Sequence, residues 1–563
     1  MRRKHIAIIL FCLFVAFLVL RLPGIHLPYH QDEWKNIAAS SDISWAGSYF
    51  THPPLMALSF VAAHSILGDD DFRLFPLFFS LVSLLLLYAA LKRRCGENAT
   101  LWSLFLFTIC FYNIFASIQP DMDGSLIPFF FLLCVYLYDN FNSINDRRKW
   151  KWLIFLAAAA LIGFLIKLSF ILVIGAIIAD YVWDHWRELT VKKASAIVLG
   201  SACLGALYAA ILYIFQAIYP AFSISGMLGH ANQFNGEAGR NYMQIIVQGV
   251  KALYYLSPVL LAPLLLITKD IFKRTKLFFI YLVFGFIFYF ILFDFSRGAL
   301  DKYLMFAIVP LAAITGAVFS GIWKRTGSEK VLLQGRMKWP ILIGIAISLA
   351  LLLLNFLPHD VLALYPKTEW FSSALHFKWN ILNPFTGGSG PTGFYVSFLF
   401  IASSFIVSLI LVVAALFKKG WSAGIMIMLL AIGFTYNMVM AEELLFGRIN
   451  GNVSEVLSAV SLYVKQDSSI KQVISYNDIG AHEFGKAGKY AGRFYATPDY
   501  ESEHRIRFAN YDHYVVIDIP HLYEYGFYGR FFSNCKTMFK TVSGRIDGRV
   551  YDCSQAKKLI PSL

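Results

Sequence analysis

Long, nearly uninterrupted apolar runs separated by short polar segments dominate this chain. They are Ile6 to Leu22, Phe72 to Leu91, Ala99 to Ile118, Ser125 to Tyr138, Trp152 to Ile166, Leu168 to Trp183, Ala194 to Tyr219, Val250 to Thr268, Leu277 to Phe293, Tyr303 to Trp323, Trp339 to Leu357, Phe394 to Phe417 and Trp421 to Met440. A helix crossing a bilayer needs about 20 mostly apolar residues, so the pattern predicts thirteen transmembrane helices. The stretch after Pro53 and Pro54, reaching Leu67, is too short to span comfortably and predicts a short helix in the interface plane. Past Met440 the period changes. Gln472 to Tyr476 and His513 to Ile519 read as buried strands, Lys536 to Val542 and Arg549 to Asp552 as weaker ones, and Asn450 to Lys465 has helical periodicity. The expected fold is a polytopic α-helical membrane protein of about 13 transmembrane helices with a small C-terminal α/β domain. It divides into a transmembrane module over 1–320 with a first outer loop at 23–71, further transmembrane helices over 321–440, and a soluble domain over 441–563.

Composition agrees and narrows the class. The chain has 563 residues, 58% hydrophobic and only 15% charged, with a mean hydropathy of +0.59. That excess excludes a soluble enzyme, a disordered chain and a disulfide scaffold. The net charge of +14 is a topology signal. Sorting the loops into two sets gives 24 Lys and Arg on one side against 10 on the other, and the positive-inside rule makes the richer set cytoplasmic. The N-terminus is then expected inside and the tail outside, where 15 basic residues nearly balance 14 acidic ones. This sorting leaves no nucleic-acid footprint. Arg2, Arg3 and Lys4 precede the first run without a small-x-small cleavage site, so a signal anchor is expected rather than a cleaved leader, in a cytoplasmic (inner) membrane. Of seven cysteines only Cys535 and Cys553 fall in the exported tail; they read as one disulfide, with a chance pair of free thiols as the alternative.

Candidate chemistry lies in the outer loops. The first reads Leu-Pro-Tyr-His-Gln-Asp-Glu-Trp and sets Asp32 and Glu33 near a span's end, where a carboxylate can accept a proton from an acceptor hydroxyl or be a solvated loop acid. His52 opens the short apolar helix and can donate to phosphate oxygens or sit as a surface residue. The turn Gln119-Pro120-Asp121-Met122-Asp123-Gly124-Ser125 holds two acids close to hydrocarbon, where an unpaired carboxylate is costly; Asp123 could also serve as a helix N-cap. Lys167 at a hairpin tip needs an anionic partner such as phosphate, or must snorkel to the surface. Arg297 and Lys302 form a second outer cationic pair, with Asp294 and Asp301 near enough in sequence to neutralise them.

The ordered set resembles a family. It comprises the acidic pair of the first loop, the His52-Pro53-Pro54-Leu55 segment, the Pro120-Asp121 turn, Lys167 in its Leu-Ile-Gly-Phe-Leu-Ile-Lys context, and Lys302-Tyr303-Leu304 ahead of Pro310. It is similar to the polyprenyl-phosphate-sugar-dependent glycosyltransferases of the C superfamily. These include protein O-mannosyltransferases (glycosyltransferase family 39), lipid A aminoarabinose transferases, and galacturonosyl- and mannosyltransferases of lipopolysaccharide cores. The resemblance covers about residues 1–320 and no MIR-like insertion is recognisable in the tail, which weakens protein O-mannosylation. It implies that Asp32 positions or deprotonates the acceptor, with Glu33 as the second half of the pair, and that Asp121 or Asp123 is the second-loop acid. Lys167 with Arg297 or Lys302 would hold the donor phosphate. His52 stands where some relatives have a lysine that contacts it.

The reaction expected is inverting transfer of a sugar from a polyprenyl-phosphate donor to a lipid A, glycan or protein acceptor on the outer face. A divalent metal on His30, Asp32, Glu33 or His52 is chemically allowed, although the spacing matches no specific ligand pattern. The alternatives are a transporter or flippase, and a polymerase or ligase, of lipid-linked glycans. Transporters place ionisable groups near the midplane, whereas the acids here cluster at the outer boundary.

Overall fold

A computed structural model describes residues 3–41, 52–144, 149–234, 240–294, 300–325, 337–385, 392–496, 503, 506 and 510–558. Among the described residues eleven helices are long and apolar enough to cross a membrane, and thirteen spans result if each of two bent helix pairs counts as one. Each falls on one of the apolar runs. The short helix after the double proline is also present, at Pro54–Leu67. The chain divides into two compact units. The first holds Met1–Ile25, Lys35–Ile341 and Leu409–Gly433; the second holds His26–Trp34, Leu342–Ser408 and Phe434–Leu563.

In the first unit the informative departures from straight helices are the two bends. Glu97–Ile109 and Phe111–Ile118 meet at 64°, and Tyr242–Leu256 and Pro258–Leu266 at 90°. The second has a local cause: Ser257 takes φ +71° and Pro258 starts the following helix. The first turns on Cys110, whose extended backbone (ψ 119°) breaks the ladder and strands carbonyls in the preceding turn. Side chains satisfy them. Asn113 Nδ2 donates to the Phe107 carbonyl (2.8 Å), while the fully buried Arg21 donates to the carbonyls of Thr108 (3.2 Å) and Phe17 (3.0 Å) and to Ser117 Oγ (2.8 Å). A second fully buried guanidinium, Arg73, donates to the Ile118 carbonyl at the other end of the short helix (2.7 Å). The helix Phe111–Ile118 is thus held at both ends, and it leads directly into the acidic turn.

Several spans are clamped at the ends that carry most of the basic residues. Arg94 bonds both carboxylate oxygens of Asp139 (2.8 Å each from Nε), and Lys276 pairs with Asp180 (3.2 Å) and with Asp184. Tyr138 also donates to Asp180 Oδ2 (3.1 Å).

The second unit contains a hairpin of β1 (Leu382–Phe385) and β2 (Phe394–Ser397). Its larger sheet has five strands: β3 (Val473–Tyr476), β4 (Tyr490–Phe494), β5 (His513–Ile517), β6 (Lys536–Ser543) and β7 (Ile546–Asp552), in the order β4-β3-β5-β7-β6. The first three are mutually parallel, and β7 runs antiparallel to β5 and β6. The helix Val453–Gln466 starts at Asn452, whose side chain accepts from the Glu455 amide (3.1 Å). It lays Val453, Val456, Leu457, Val460 and Val464 against Val473, Val515, Ile517 and Val550 of the sheet. The alternate residues Ile474, Tyr476, Tyr514 and Val516 face Phe527, Tyr528, Phe531 and Phe532 on the opposite side. A disulfide joins Cys535 and Cys553, whose Cα atoms are 4.4 Å apart.

Replacing Asn113 with Leu removes the donor to the Phe107 carbonyl and leaves that buried group unsatisfied, at a cost of about 1–3 kcal/mol. The expected result is a lower thermal unfolding midpoint for the detergent-purified variant.

Candidate functional site

The first unit's site is built on the acidic turn. Pro120 ends the preceding helix by removing a donor and disfavouring helical backbone before it, and Gln119 is extended. The Asp121 amide donates to the Gln119 carbonyl (2.7 Å), and Asp121 Oδ1 accepts from the Asp123 amide (3.0 Å), closing an Asx turn. Ser125 Oγ donates back to the Asp121 carbonyl (2.5 Å), and Asn36 Nδ2 donates to that of Pro120 (2.9 Å). Gly124 is required by close approach, since a Cβ there would lie 2.6 Å from both the Cβ and carbonyl oxygen of Ala116. Ser125, not Asp123, occupies the N-cap of the next helix, so the capping role open to Asp123 is not the one it plays.

Both acids are instead ion-paired. Lys167 Nζ contacts the two carboxylate oxygens of Asp123 at 2.6 and 2.5 Å, and Lys302 pairs with Asp121. All four residues are between 1% and 9% exposed, so each charge depends on its partner. Lys167 reaches inward because it sits in extended backbone (φ −152°, ψ 135°) between the helix Lys149–Ile166 and the 3-10 turn Leu168–Phe170. The snorkelling alternative is therefore not adopted. Lys302 lies on the short helix Leu300–Tyr303. Tyr303 connects the two cations, its ring centre 4.8 Å from Lys167 Nζ and 6.0 Å from that of Lys302. It stacks at 5.6 Å on Tyr289, carried by the π-helical turn Ile287–Leu292.

His52 and His230 complete this cluster, their rings edge to face at 5.4 Å. Burial, then the ammonium groups of Lys167 and Lys302 and the ring of His230, push His52 down to about 3 against a weaker pull from Asp121. Burial and the same two lysines also lower His230. Both imidazoles are accordingly neutral near pH 7, where each offers one N–H donor. Burial would raise the Asp121 carboxyl, but Lys302 and Lys167 outweigh it and hold it below the ordinary value. For Asp123 burial wins over Lys167, with the charge of Asp121 adding to it, and its carboxyl is raised. Two acids two residues apart are thus shifted in opposite directions.

The structure therefore brings together His52, Asp121, Asp123, Lys167 and Lys302. Arg297 lies outside the described residues. Asp32, Glu33 and His30 belong to the second unit. There the acidic pair differs within itself. Glu33 is fully buried and accepts from the His30 amide (3.0 Å), while Asp32, in the first turn of the helix Asp32–Ser41, is partly exposed. Among the described residues no three His, Cys, Asp or Glu side chains are grouped to hold a metal ion. His230, Tyr289 and Asn36 are site residues that the sequence reading did not assign; none stands in a recognisable motif, and only the tertiary packing reveals them, while Tyr303 was part of the Lys302-Tyr303-Leu304 motif without a role of its own.

Comparison with known proteins gives a consistent picture. Residues 51–215 match the family described as dolichyl-phosphate-mannose-protein mannosyltransferase, a stretch that includes His52, Asp121, Asp123 and Lys167. Among solved structures, the chain is similar to ArnT from Cupriavidus metallidurans bound to undecaprenyl phosphate, with a TM-score of 0.52 and 12% identity over 98% of each chain. The apo form of that protein gives a TM-score of 0.51 and 13% identity, covering 97% of this chain and 98% of that one. No curated protein matches the chain.

A depressed histidine pKa has a stability consequence with a definite sign. Between about 3 and 6.5 the unfolded chain binds more protons than the folded one at His52, so this group's contribution to stability falls as pH drops below about 6.5. Thermal melts of wild type should therefore lose more between pH 7 and pH 5 than those of His52→Gln. Parallel curves would show that His52 protonates normally in the folded protein.

Proposed function

We propose that this chain is a polyprenyl-phosphate-dependent glycosyltransferase of GT-C fold, a reading that the family match over residues 51–215 and the ArnT-like fold support, and that it transfers a sugar from a polyprenyl-phosphate donor to a hydroxyl of an envelope acceptor. The acceptor is lipid A, a glycan or a protein, and transfer takes place on the outer face of the inner membrane. The observation that carries this reading is the pair of buried ammonium groups, Lys167 and Lys302, gathered from distant parts of the chain beside two neutral imidazoles.

The chemistry requires such a group. In the donor a phosphodiester of charge −1 joins the sugar's anomeric carbon to the lipid. As the acceptor oxygen bonds to that carbon, the bond to the phosphate oxygen breaks, and its electron pair stays on a polyprenyl phosphate of charge −2. The extra charge is what cations and N–H donors stabilise selectively in the transition state. Asp121 and Asp123 keep the two ammonium groups charged and oriented, and Lys167, His52 and Lys302 bind the phosphate. Asp32 takes the proton from the acceptor hydroxyl, and direct displacement inverts the anomeric centre. No step here is routed through a metal. A flippase would carry the donor intact and needs no base, which makes Asp32 the discriminating residue.

Asp32→Asn should lower the transfer rate by about 10²–10⁴-fold while polyprenyl phosphate binding stays within about twofold of wild type. Full transfer by this variant would overturn the assignment. Lys167→Met should weaken polyprenyl phosphate binding by about tenfold or more, the scale of one charge-assisted hydrogen bond, measured as a dissociation constant in nanodiscs.

A further inference from the structure

The second unit joins segments from near both ends of the chain. Residues His26–Trp34 cluster with the C-terminal α/β domain. Two aromatic side chains flank Asp32 in sequence, and each meets a ring of that domain. Tyr29, itself buried, packs edge to face on His482 at 5.1 Å, and Trp34 packs likewise on Tyr490 at 5.9 Å. Between them Gln31, at φ +43°, donates from Nε2 to the Asn477 carbonyl at 3.5 Å.

The receiving surface is the corner that follows β3. Asn477 and Asp478 both take left-handed backbone (φ +55° and +65°), a conformation that Asn and Asp tolerate better than other side-chain-bearing residues, before Gly480 (φ +84°) starts the helix Ala481–Lys486. A buried network fixes that corner. The fully buried Asp478 accepts from the Tyr490 hydroxyl and pairs with Arg493, both on the neighbouring parallel strand β4. Tyr490 thereby has its ring orientation set by Asp478 and offers that ring to Trp34. In parallel sheets the crevice beyond the strands' carboxyl ends is where ligands usually bind. Here side chains of the first loop dock at the carboxyl end of β3, leaving Glu33 buried and Asp32 partly exposed.

We propose that this corner of the C-terminal domain is a positioning device for the first loop: Tyr490 and His482, with Asp478 behind them, hold Trp34 and Tyr29 and thereby aim Asp32 at the acceptor hydroxyl. This rests on the role of Asp32 given above. The domain acts on the chemical step through the loop, and donor binding is left to other residues. An aiming error of about 1 Å at a reacting group costs up to about 100-fold in rate.

The test uses the full-length protein in nanodiscs, with a polyprenyl-phosphate sugar and a membrane acceptor fraction. Trp34→Ala and His482→Ala should each lower kcat by about tenfold or more and leave the donor KM within about twofold, whereas Trp34→Phe, which keeps a ring, recovers most of the rate. The double variant Trp34→Ala/His482→Ala should lose less than the product of the single effects, because both act on one loop. His482→Ala places a good helix former in a helix, so it reports even if Trp34→Ala folds poorly. Unchanged kcat in His482→Ala and Trp34→Ala, while Asp32→Asn is inactive, would overturn the positioning device and spare the base. A parallel rise in donor KM would overturn it too. Full transfer by Asp32→Asn would instead remove the reading on which it rests.

Discussion

The buried carboxylate–ammonium pairs of the acidic turn are the constraint on which the first unit depends. Breaking either one leaves an uncompensated charge in a poorly solvated interior, at about 3–5 kcal/mol. Several surrounding features make the pairing geometry possible. Cys110 breaks the span, Arg21 and Asn113 satisfy the carbonyls this strands, Arg73 secures the far end of the short helix, and Gly124 lets the turn close against Ala116. The result is a turn whose two acids face two lysines from separate elements. Opposite shifts of Asp121 and Asp123 follow from the same crowding, because Lys302 and Lys167 together overcome burial at the first acid and Lys167 cannot at the second.

Pairs of this kind suit a phosphate site. An ammonium group taken out of water needs a standing counter-charge, and a carboxylate supplies it without occupying all three of its donors. Neutral imidazoles add directional N–H groups at no electrostatic cost to the lysines beside them. The arrangement therefore fits a ligand whose negative charge grows during reaction better than one that only passes through.

Much of the architecture was legible because its signals are local. Long apolar runs predict spans regardless of tertiary context, Pro53 and Pro54 announce a short helix, and Val473–Tyr476 and His513–Ile517 have the apolar density of buried strands. The bend at Cys110 was not legible, since no proline or glycine marks it and its supporting groups come from other helices. The strand β4 also escaped: Tyr490–Phe494 is largely half-buried and includes Gly492, so it lacks strong alternation. Lys167, Asp121 and Asp123 stood out as charges in apolar surroundings, but which cation pairs with which acid is set across 44 residues for Lys167 and Asp123. The association of the first loop with the tail spans 446 residues and has no local signature at all.

In the proposed reaction the chain cleaves a polyprenyl-phosphate sugar and delivers the sugar to an acceptor. The most direct measurement supplies purified protein with a polyprenyl-phosphate donor labelled in both lipid and sugar, together with envelope acceptor fractions. Free polyprenyl phosphate should be released one for one with glycosylated acceptor, the new bond carrying the inverted anomeric configuration. Donor that crosses the bilayer with its sugar still attached, or transfer with retained configuration, would contradict it.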